Sequence, residues 1–583
     1  MERKWVLRQD LQDPDRIKHL QDEFRKKAPA GKDGSPFELD YYRALLFLLR
    51  GIDSYAAASY YLNPSHKQLH NPFQMKGLER AVDRLKQAVE NRERIMVYGD
   101  YDVDGTTSVA MVYSFLKRFV PEVFPYIPDR FKEGYGISFK GINAAEVSGC
   151  SVIVALDCGI KAHQQAVLAH EKGLDLIICD HHTPGEDVPP AFSVIDPKQE
   201  GCDYPFDELS GCAIGFKLLQ GLSEKLLHHY KLPNQYLDLV AISIASDIVP
   251  MRGENRLLAK LGLEKIEKKP LIGVKALKDV SGLGKNLDIP DVVFKLGPRL
   301  NAAGRLDSAM DAFRLLASED PEYAERRAGE VNTSNQRRKN YDEEITEEAA
   351  RIIQSDPNHQ ERYTFVLHNP EWHKGVIGIV ASRIVERFHR PVILLTESNG
   401  LLTGSARSIP GFDLYTAINR CTQYLEAFGG HKAAAGLSLK KENLGAFTEA
   451  FEEAVSNRMD EELLTPVVEY DMEVPLRALT PAFCRSLRRM GPFGPENMRP
   501  IFVSRNVQNV YPPRKVGNKD LHLKMTLGQR KNEKISAIGF KMGDYADLIQ
   551  PGKPFDICYV IEENHFNGTL RYELNIKDIR VKE

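Results

Sequence analysis

Asp100, Asp102 and Asp104 occupy alternate positions in Gly99-Asp100-Tyr101-Asp102-Val103-Asp104-Gly105, directly after the apolar run Ile95-Met96-Val97-Tyr98. Carboxylates this close repel one another at neutral pH. A fold keeps them where a cation sits among them, and hard divalent ions favour such oxygen ligands. A calcium loop counted from Asp100 would find its glycine at Gly105, but its twelfth position, which needs Glu, is Met111. The strand before the run is also wrong for a helix–loop–helix, so the run reads as a catalytic metal site.

Two further apolar runs end in the same kind of residue. Val152–Leu156 leads into Asp157, and Leu176–Cys179 leads into Asp180-His181-His182. Open parallel α/β sheets bind ligands at the carboxyl ends of their strands, so these strands would bring their carboxylates and imidazoles together. Asp247 lies in the largely apolar helical stretch 237–249, where a buried charge needs a partner or a metal. Mixed Asp and His ligation suits Mn²⁺ or Mg²⁺ better than structural zinc. A set this rich in carboxylates suits two ions about 3.5–4 Å apart, the clamp used for phosphoester displacement.

The elements that must hold these groups follow from the patterning. Residues 1–75 read as a helical lead-in centred on Tyr41–Leu49, and 76–318 as alternating short apolar runs and helices, the signature of a parallel α/β sheet. A charged stretch over 319–358 predicts one long connecting helix, and 359–460 a second α/β unit. Residues 465–583 carry short strands and turns that suggest a small barrel. Several domains are expected of 583 residues. The composition, 42% hydrophobic and 27% charged, is that of an ordinary globular protein, and no apolar run approaches the ~18 residues of a membrane span. Eight cysteines without a Cys-x-x-Cys pair argue against a disulfide framework and a structural zinc site, and the chain reads as cytoplasmic. A net charge of −3 gives no global attraction to nucleic acid, but Arg505–Lys541 holds nine Lys and Arg against two acids.

Asp100–Gly105, Asp157-Cys158-Gly159, Asp180-His181-His182 and Ala245-Ser246-Asp247 resemble the four motifs of the DHH phosphoesterase superfamily. Within it, Leu296–Asp307, Trp372–Arg383 and Gly429-Gly430-His431 are similar to segments that mark the RecJ exonucleases. The resemblance implies a DHH catalytic domain, a DHHA1-type second domain and an OB-like terminal barrel. It also implies a single-stranded-DNA exonuclease that runs 5′ to 3′, releases mononucleotides with two Mn²⁺ or Mg²⁺ ions and serves DNA repair and recombination. Asp102, Asp104, Asp157, His181 and Asp247 would hold the metals with Asp100 close by, and His182 and Arg305 would assist the scissile phosphate. Arg130, Ser405 and Arg407 would bind the terminal 5′ phosphate, with Asn301 also toward substrate and His431 hydrogen-bonding phosphate. Tyr98 stands where small DHH pyrophosphatases carry a His ligand, which weakens that reading.

The basic terminal segment carries Tyr511, Phe540, Tyr559, Phe566 and Tyr572, some as core and some as platforms on which bases could stack. The alternative, a DHH phosphodiesterase of short oligonucleotides or cyclic dinucleotides, would not need an added basic barrel. The expected partners are single-stranded DNA, a helicase and a single-strand-binding protein, and the expected state is a monomer.

Overall fold

The computed structural model describes residues 3–8, 13–29, 37–530, 533–550, 552–566 and 569–581. The chain begins with strand β1 (Lys4–Leu7) and helices α1 (Pro14–Lys27), α2 (Tyr41–Leu48) and α3 (Tyr55–Leu62). Then α4 (Leu78–Glu90), β2 (Ile95–Gly99), α5 (Val103–Leu116), β3 (Val123–Tyr126), α6 (Phe139–Val147), β4 (Val152–Leu156), α7 (His163–Glu171), β5 (Asp175–Cys179) and β6 (Ser193–Ile195) alternate. These strands form an all-parallel sheet in the order β3-β2-β4-β5-β6.

Both faces of this sheet are covered, which is why its strands are apolar at consecutive positions rather than at alternate ones, apart from Asp175 and Ser193 at the starts of β5 and β6. Ile95 and Val97, with Val152, Val154 and Leu156, point into one core; Met96 and Tyr98, with Ile153 and Ala155, point into the other. The first core is filled by α4, α5, α8 (Gly211–Leu227) and α9 (Leu237–Ser246). The helix predicted around Asp247 stops one residue earlier: Ser246 is its last residue and Asp247 caps its C-terminal end.

Helix α10 (Gly297–Leu306) precedes the long helix α11 (Pro321–Ser355), which leads into a mixed sheet. Its elements are β7 (Phe365–His368), α12 (Ile377–Phe388), β8 (Val392–Ser398), β9 (Leu401–Arg407), β10 (Leu425–His431) and β11 (Ala434–Leu439). The strand order is β10-β11-β9-β8-β7, antiparallel except for β7–β8. Residues 69–465 make one compact unit.

The other unit joins residues 1–68 to 466–583. In it β12 (Val467–Tyr470) pairs in parallel with β1. The strands β13 (Met472–Glu473), β14 (Phe502–Asn509), β15 (Arg514–Val516), β16 (His522–Gly528), β17 (Ile535–Gly539), β18 (Phe555–Phe566) and β19 (Thr569–Val581) form a sheet that closes through β14–β16 pairing. The N-terminal helices do not stand alone. Ile17, Leu20, Phe24 and Leu45–Leu48 share one apolar core with Phe483, Phe502, Phe555 and Leu574. Tyr559 lies wholly in that core, whereas Tyr511 and Phe540 are about half exposed and Tyr572 packs against its edge. The side chain of Phe566 lies outside the described residues. Among the described residues, no helix is long and apolar enough to cross a membrane.

Candidate metal centre and phosphate site

The register of the parallel sheet aligns Gly99, Leu156, Cys179 and Ile195. The next residue of each strand is therefore an aspartate in one row: Asp100, Asp157, Asp180 and Asp196. Each is nearly or fully buried. Asp102 and Asp104 enter from the start of α5, where Asp102 accepts the Gly105 N–H at 3.0 Å as helix cap.

His181 is the hub of the cluster. Its Nε2 lies 3.2 Å from Asp157 Oδ1, 3.5 Å from Asp247 Oδ2 and 3.9 Å from Asp104 Oδ2. Two ligand-grade groups result, Asp157–His181–His182 and Asp104–His181–Asp247, each with donor atoms within 4.8 Å of one another. The electrostatics are those of a site built for positive charge. Burial, then Asp104, Asp102 and Asp247, push the Asp157 carboxyl well above the usual range. Burial, then Asp104 and Asp102, raise Asp247 to about 8, and burial with Asp102 raises Asp100 to about 7. Burial lowers His181, so its imidazole is neutral and able to act as a ligand. Asp100 Oδ2 and His181 Nε2 are buried without any hydrogen-bond partner among the described residues. Hard oxygen and imidazole donors with such orphaned atoms fit Mn²⁺ or Mg²⁺.

Asp104 is held from behind. Its Oδ2 accepts from Gly211 N at 2.7 Å and its Oδ1 from Cys212 N at 2.8 Å and Ser243 Oγ at 2.7 Å. The N-terminus of α8 thus faces the carboxylate, where its free N–H groups and dipole favour an anion. Gly211 is needed there, because a Cβ would lie 2.7 Å from Asp157 Cβ. Asp157 itself takes φ 60, an uncommon conformation for a residue with a side chain.

Asp180 is no ligand in this arrangement but the partner of His182. It accepts from Ile160, His181 and His182 backbone N–H groups and from His182 Nδ1 at 2.7 Å. Burial alone would raise the Asp180 carboxyl, but these bonds hold it below its usual range; in return, against the cost of burial, Asp180 raises the His182 imidazole. His182 Nε2 is left 3.0 Å from Tyr135 Oη. The buried Tyr98 is tied up by its own bonds, donating to Gly136 O at 2.8 Å and accepting from Ser138 N.

The cationic groups gather around Arg305 on α10. Burial, then Arg130, Arg338 and Arg407, lower its guanidinium to about 10. Its Nη1 reaches Gly375 O at 3.3 Å, and it lines a cavity of about 360 Å³ with Lys132, His373 and Lys374. Asn301 is half-buried one turn earlier on the same helix. Arg130 lies over the Tyr101 ring at 4.9 Å and lines a separate cavity of about 320 Å³. On β9, Arg407 Nη1 donates to Ser405 Oγ at 2.9 Å. Gly378, at the start of α12, lets that helix end approach the pair, since a Cβ would meet Ser405 Oγ at 3.0 Å and Arg407 Nη2 at 3.1 Å. His431 ends β10 opposite Ala434, exposed at the hairpin tip.

The structure thus joins Asp100, Asp102, Asp104, Asp157, His181, His182 and Asp247 in one cluster and places Arg130 and Arg407 within electrostatic reach of Arg305. Asp180 is expected from the sequence as a strand-end carboxylate and part of the Asp180-His181-His182 motif, but not as the partner of His182, and Asp196, Ser243 and Tyr135 are not singled out there. Ser243 stands one helical turn before Asp247, and that spacing is the available signal.

Residues 94–244 match the DHH family N-terminal domain, 361–457 the DHHA1 domain and 470–578 the RecJ OB domain. The chain is 38% identical over 546 residues to the single-stranded-DNA-specific exonuclease RecJ of Bacillus subtilis, covering 93% of this chain and 68% of that protein. The chain belongs to the RecJ family. The crystal structure of RecJ from Thermus thermophilus in complex with Mn²⁺ superposes with a TM-score of 0.82 at 29% identity, covering all of this chain and 80% of that one. The Mg²⁺ complex of the same RecJ gives 0.76 at 28% identity, with 100% and 79% coverage. The DHH, DHHA1 and OB components expected from the sequence are therefore present, on a RecJ fold.

Proposed function

We propose that this chain is a metal-dependent exonuclease specific for single-stranded DNA, acting from the 5′ end and releasing 5′-mononucleotides in DNA repair and recombination. The observation that carries the reading is the set of carboxylates around His181 in the same unit as Arg130, Arg305 and Arg407. Asp102, Asp104, Asp157, His181 and Asp247 would hold two Mn²⁺ or Mg²⁺ ions, with Asp100 beside them. Bound there, the ions would act as Lewis acids toward a phosphodiester and lower the pKa of water.

The chain's own groups do the rest. Asp180 fixes His182 by its Nδ1, and Nε2, which meets Tyr135 Oη at 3.0 Å in the substrate-free protein, would donate to the scissile phosphate. Arg305, with Asn301 on the same helix, would neutralise that phosphate, and Arg130, Ser405 and Arg407 would bind the terminal one. Arginine suits both tasks because its planar fork donates bidentately to phosphate oxygens. His431, at the exposed tip of its hairpin and outside the cluster, would contact phosphate further along the strand. The OB barrel, with Tyr511 and Phe540 exposed, would hold the following single strand. A nuclease confined to single strands depends on their supply, so a helicase and a single-strand-binding protein are the proposed partners of a cytoplasmic monomer.

The test is digestion of 5′- and 3′-labelled single strands and blunt duplexes with Mn²⁺, Mg²⁺ or EDTA. The reading expects labelled mononucleotide at once from the 5′ label, none from the duplex and none in EDTA. Early release from the 3′ label would refute the polarity, and equal rates on duplex would refute the strand specificity.

A further inference from the structure

The segment from Asp129 to Ser138 is an ordered loop rather than a slack connection. Asp129 accepts from Phe131 N and Lys132 N, while Glu133 accepts from Asp129 N, Tyr126 Oη and Ser138 Oγ. Its far end is pinned at Gly136, whose carbonyl accepts from Tyr98 and whose N–H reaches Asp100 Oδ1 at 3.4 Å. Between Gly134 at φ 83 and Gly136 at φ 85, Tyr135 projects toward the metal cluster. Two left-handed glycines around one aromatic residue set its direction at an entropic cost that nothing in the core requires, for Tyr135 is 57% exposed.

Only the phenol end is engaged by hydrogen bonds. Tyr135 Oη lies 3.0 Å from His182 Nε2, and 3.4 Å from the carbonyl oxygen of Asp157. The hydroxyl therefore sits at the atom that would face the substrate, beside a residue of the metal cluster. Tyr135 also meets Tyr101 edge to face at 6.5 Å, and Arg130 of the same loop lies over that Tyr101 ring. One loop thus carries a guanidinium at one end and a phenol at the other, linked through Tyr101.

We propose that Tyr135 is a further substrate-contacting residue, its phenolic O–H donating a hydrogen bond to a non-bridging oxygen of the scissile phosphate alongside His182. The inference rests on the nuclease reading of the same site. Two donors 3.0 Å apart can reach two oxygens of one tetrahedral phosphate, and a fixed donor at the site of developing charge favours the transition state. In the substrate-free protein the phenol and the imidazole satisfy each other.

Tyr135→Phe keeps the ring and removes the donor, and a melting curve separates loss of folding from loss of chemistry. Single-turnover cleavage of a 5′-phosphorylated single strand with Mn²⁺ should slow roughly 10²-fold. Strand affinity, and Mn²⁺ affinity by calorimetry, should stay about equal to those of the parent. With the terminal linkage as separate phosphorothioate diastereomers, the rate difference between oxygen and sulfur should shrink in the variant for one diastereomer. Tyr135→Phe combined with His182→Ala should be slower than His182→Ala alone. An unchanged rate in Tyr135→Phe would overturn the assignment, as would a double variant no slower than His182→Ala, which would leave Tyr135 only steadying His182. A parent chain that does not cleave single strands would instead overturn the nuclease reading, and the assignment with it.

Discussion

Replacing Asp100 with Asn separates the electrostatic load of the acid cluster from its chemistry. Asp100 is 1% exposed, its Oδ2 has no partner among the described residues, and the Gly136 N–H reaches Oδ1 at 3.4 Å, so the amide disturbs few bonds. Burial and Asp102 raise the carboxyl to about 7 in the folded protein, against about 3.9 in an unfolded chain. A carboxyl raised in this way binds its proton more tightly when folded. Its penalty is therefore absent below about pH 4, grows as pH rises toward 7 and is constant above that. In EDTA, the stability of Asp100→Asn relative to the parent should rise by about 3 kcal/mol between roughly pH 5 and pH 8, since the amide does not titrate. Equilibrium urea unfolding of both proteins at the two pH values measures this, and taking the difference cancels every other titrating group to first order. A difference that is flat with pH, or that falls, would refute the account of the cluster as mutually repelling buried acids. Saturating Mn²⁺ should act in the opposite sense on the parent, stabilising it more at the higher pH than at the lower, because metal binding competes with protons.

Ser243→Ala should weaken Mn²⁺ binding about 10- to 100-fold without unfolding the chain, because it removes the hydroxyl that orients Asp104 at 2.7 Å; an unaltered calorimetric affinity would count against that role. Arg407→Ala should slow cleavage of 5′-phosphorylated strands by about 10- to 100-fold and that of 5′-hydroxyl strands much less, as expected for a lost charge-assisted bond. An equal loss on both ends would leave Arg407 outside the terminal pocket. The fragment 69–465 should keep its Mn²⁺ affinity and cleave very short oligonucleotides, yet bind long single strands more weakly and with a shallower salt dependence. Identical salt slopes for the fragment and the full chain would mean that the barrel neutralises no phosphates.

The row of aspartates is legible because buried parallel strands write themselves as unbroken apolar runs, and the residue after each run is the one that faces the ligand crevice. Asp196 escapes because β6 is only Ser193-Val194-Ile195, too short to show a pattern. Tyr135 depends on how one loop lies across the ends of two strands, which no local periodicity encodes. Asp247 is visible in the sequence, but as a helix residue rather than as the cap that ends the helix. Tyr559 and Tyr511 look alike in sequence; which of them is core depends on barrel closure, a pairing of distant strands. The same limit hides the partner of the N-terminal helices, whose apolar face meets residues from Met472 onward.

The pairing of β1 with β12 carries a consequence for the order of events during synthesis. Residues 1–68, with the apolar stretch Ala44–Leu48, leave the ribosome before residues 69–583, but their partners lie beyond residue 465. At elongation rates of about 5–20 residues per second, roughly 20–80 s separate the two halves of that unit. Residues 69–465 form a continuous unit and can complete their own contacts within that interval. The nascent chain would thus hold a finished catalytic insert while its first helices wait, exposed, for their partners. Slow synthesis or a truncated message should therefore be felt first as aggregation through the N-terminal helices, not as failure of the metal site.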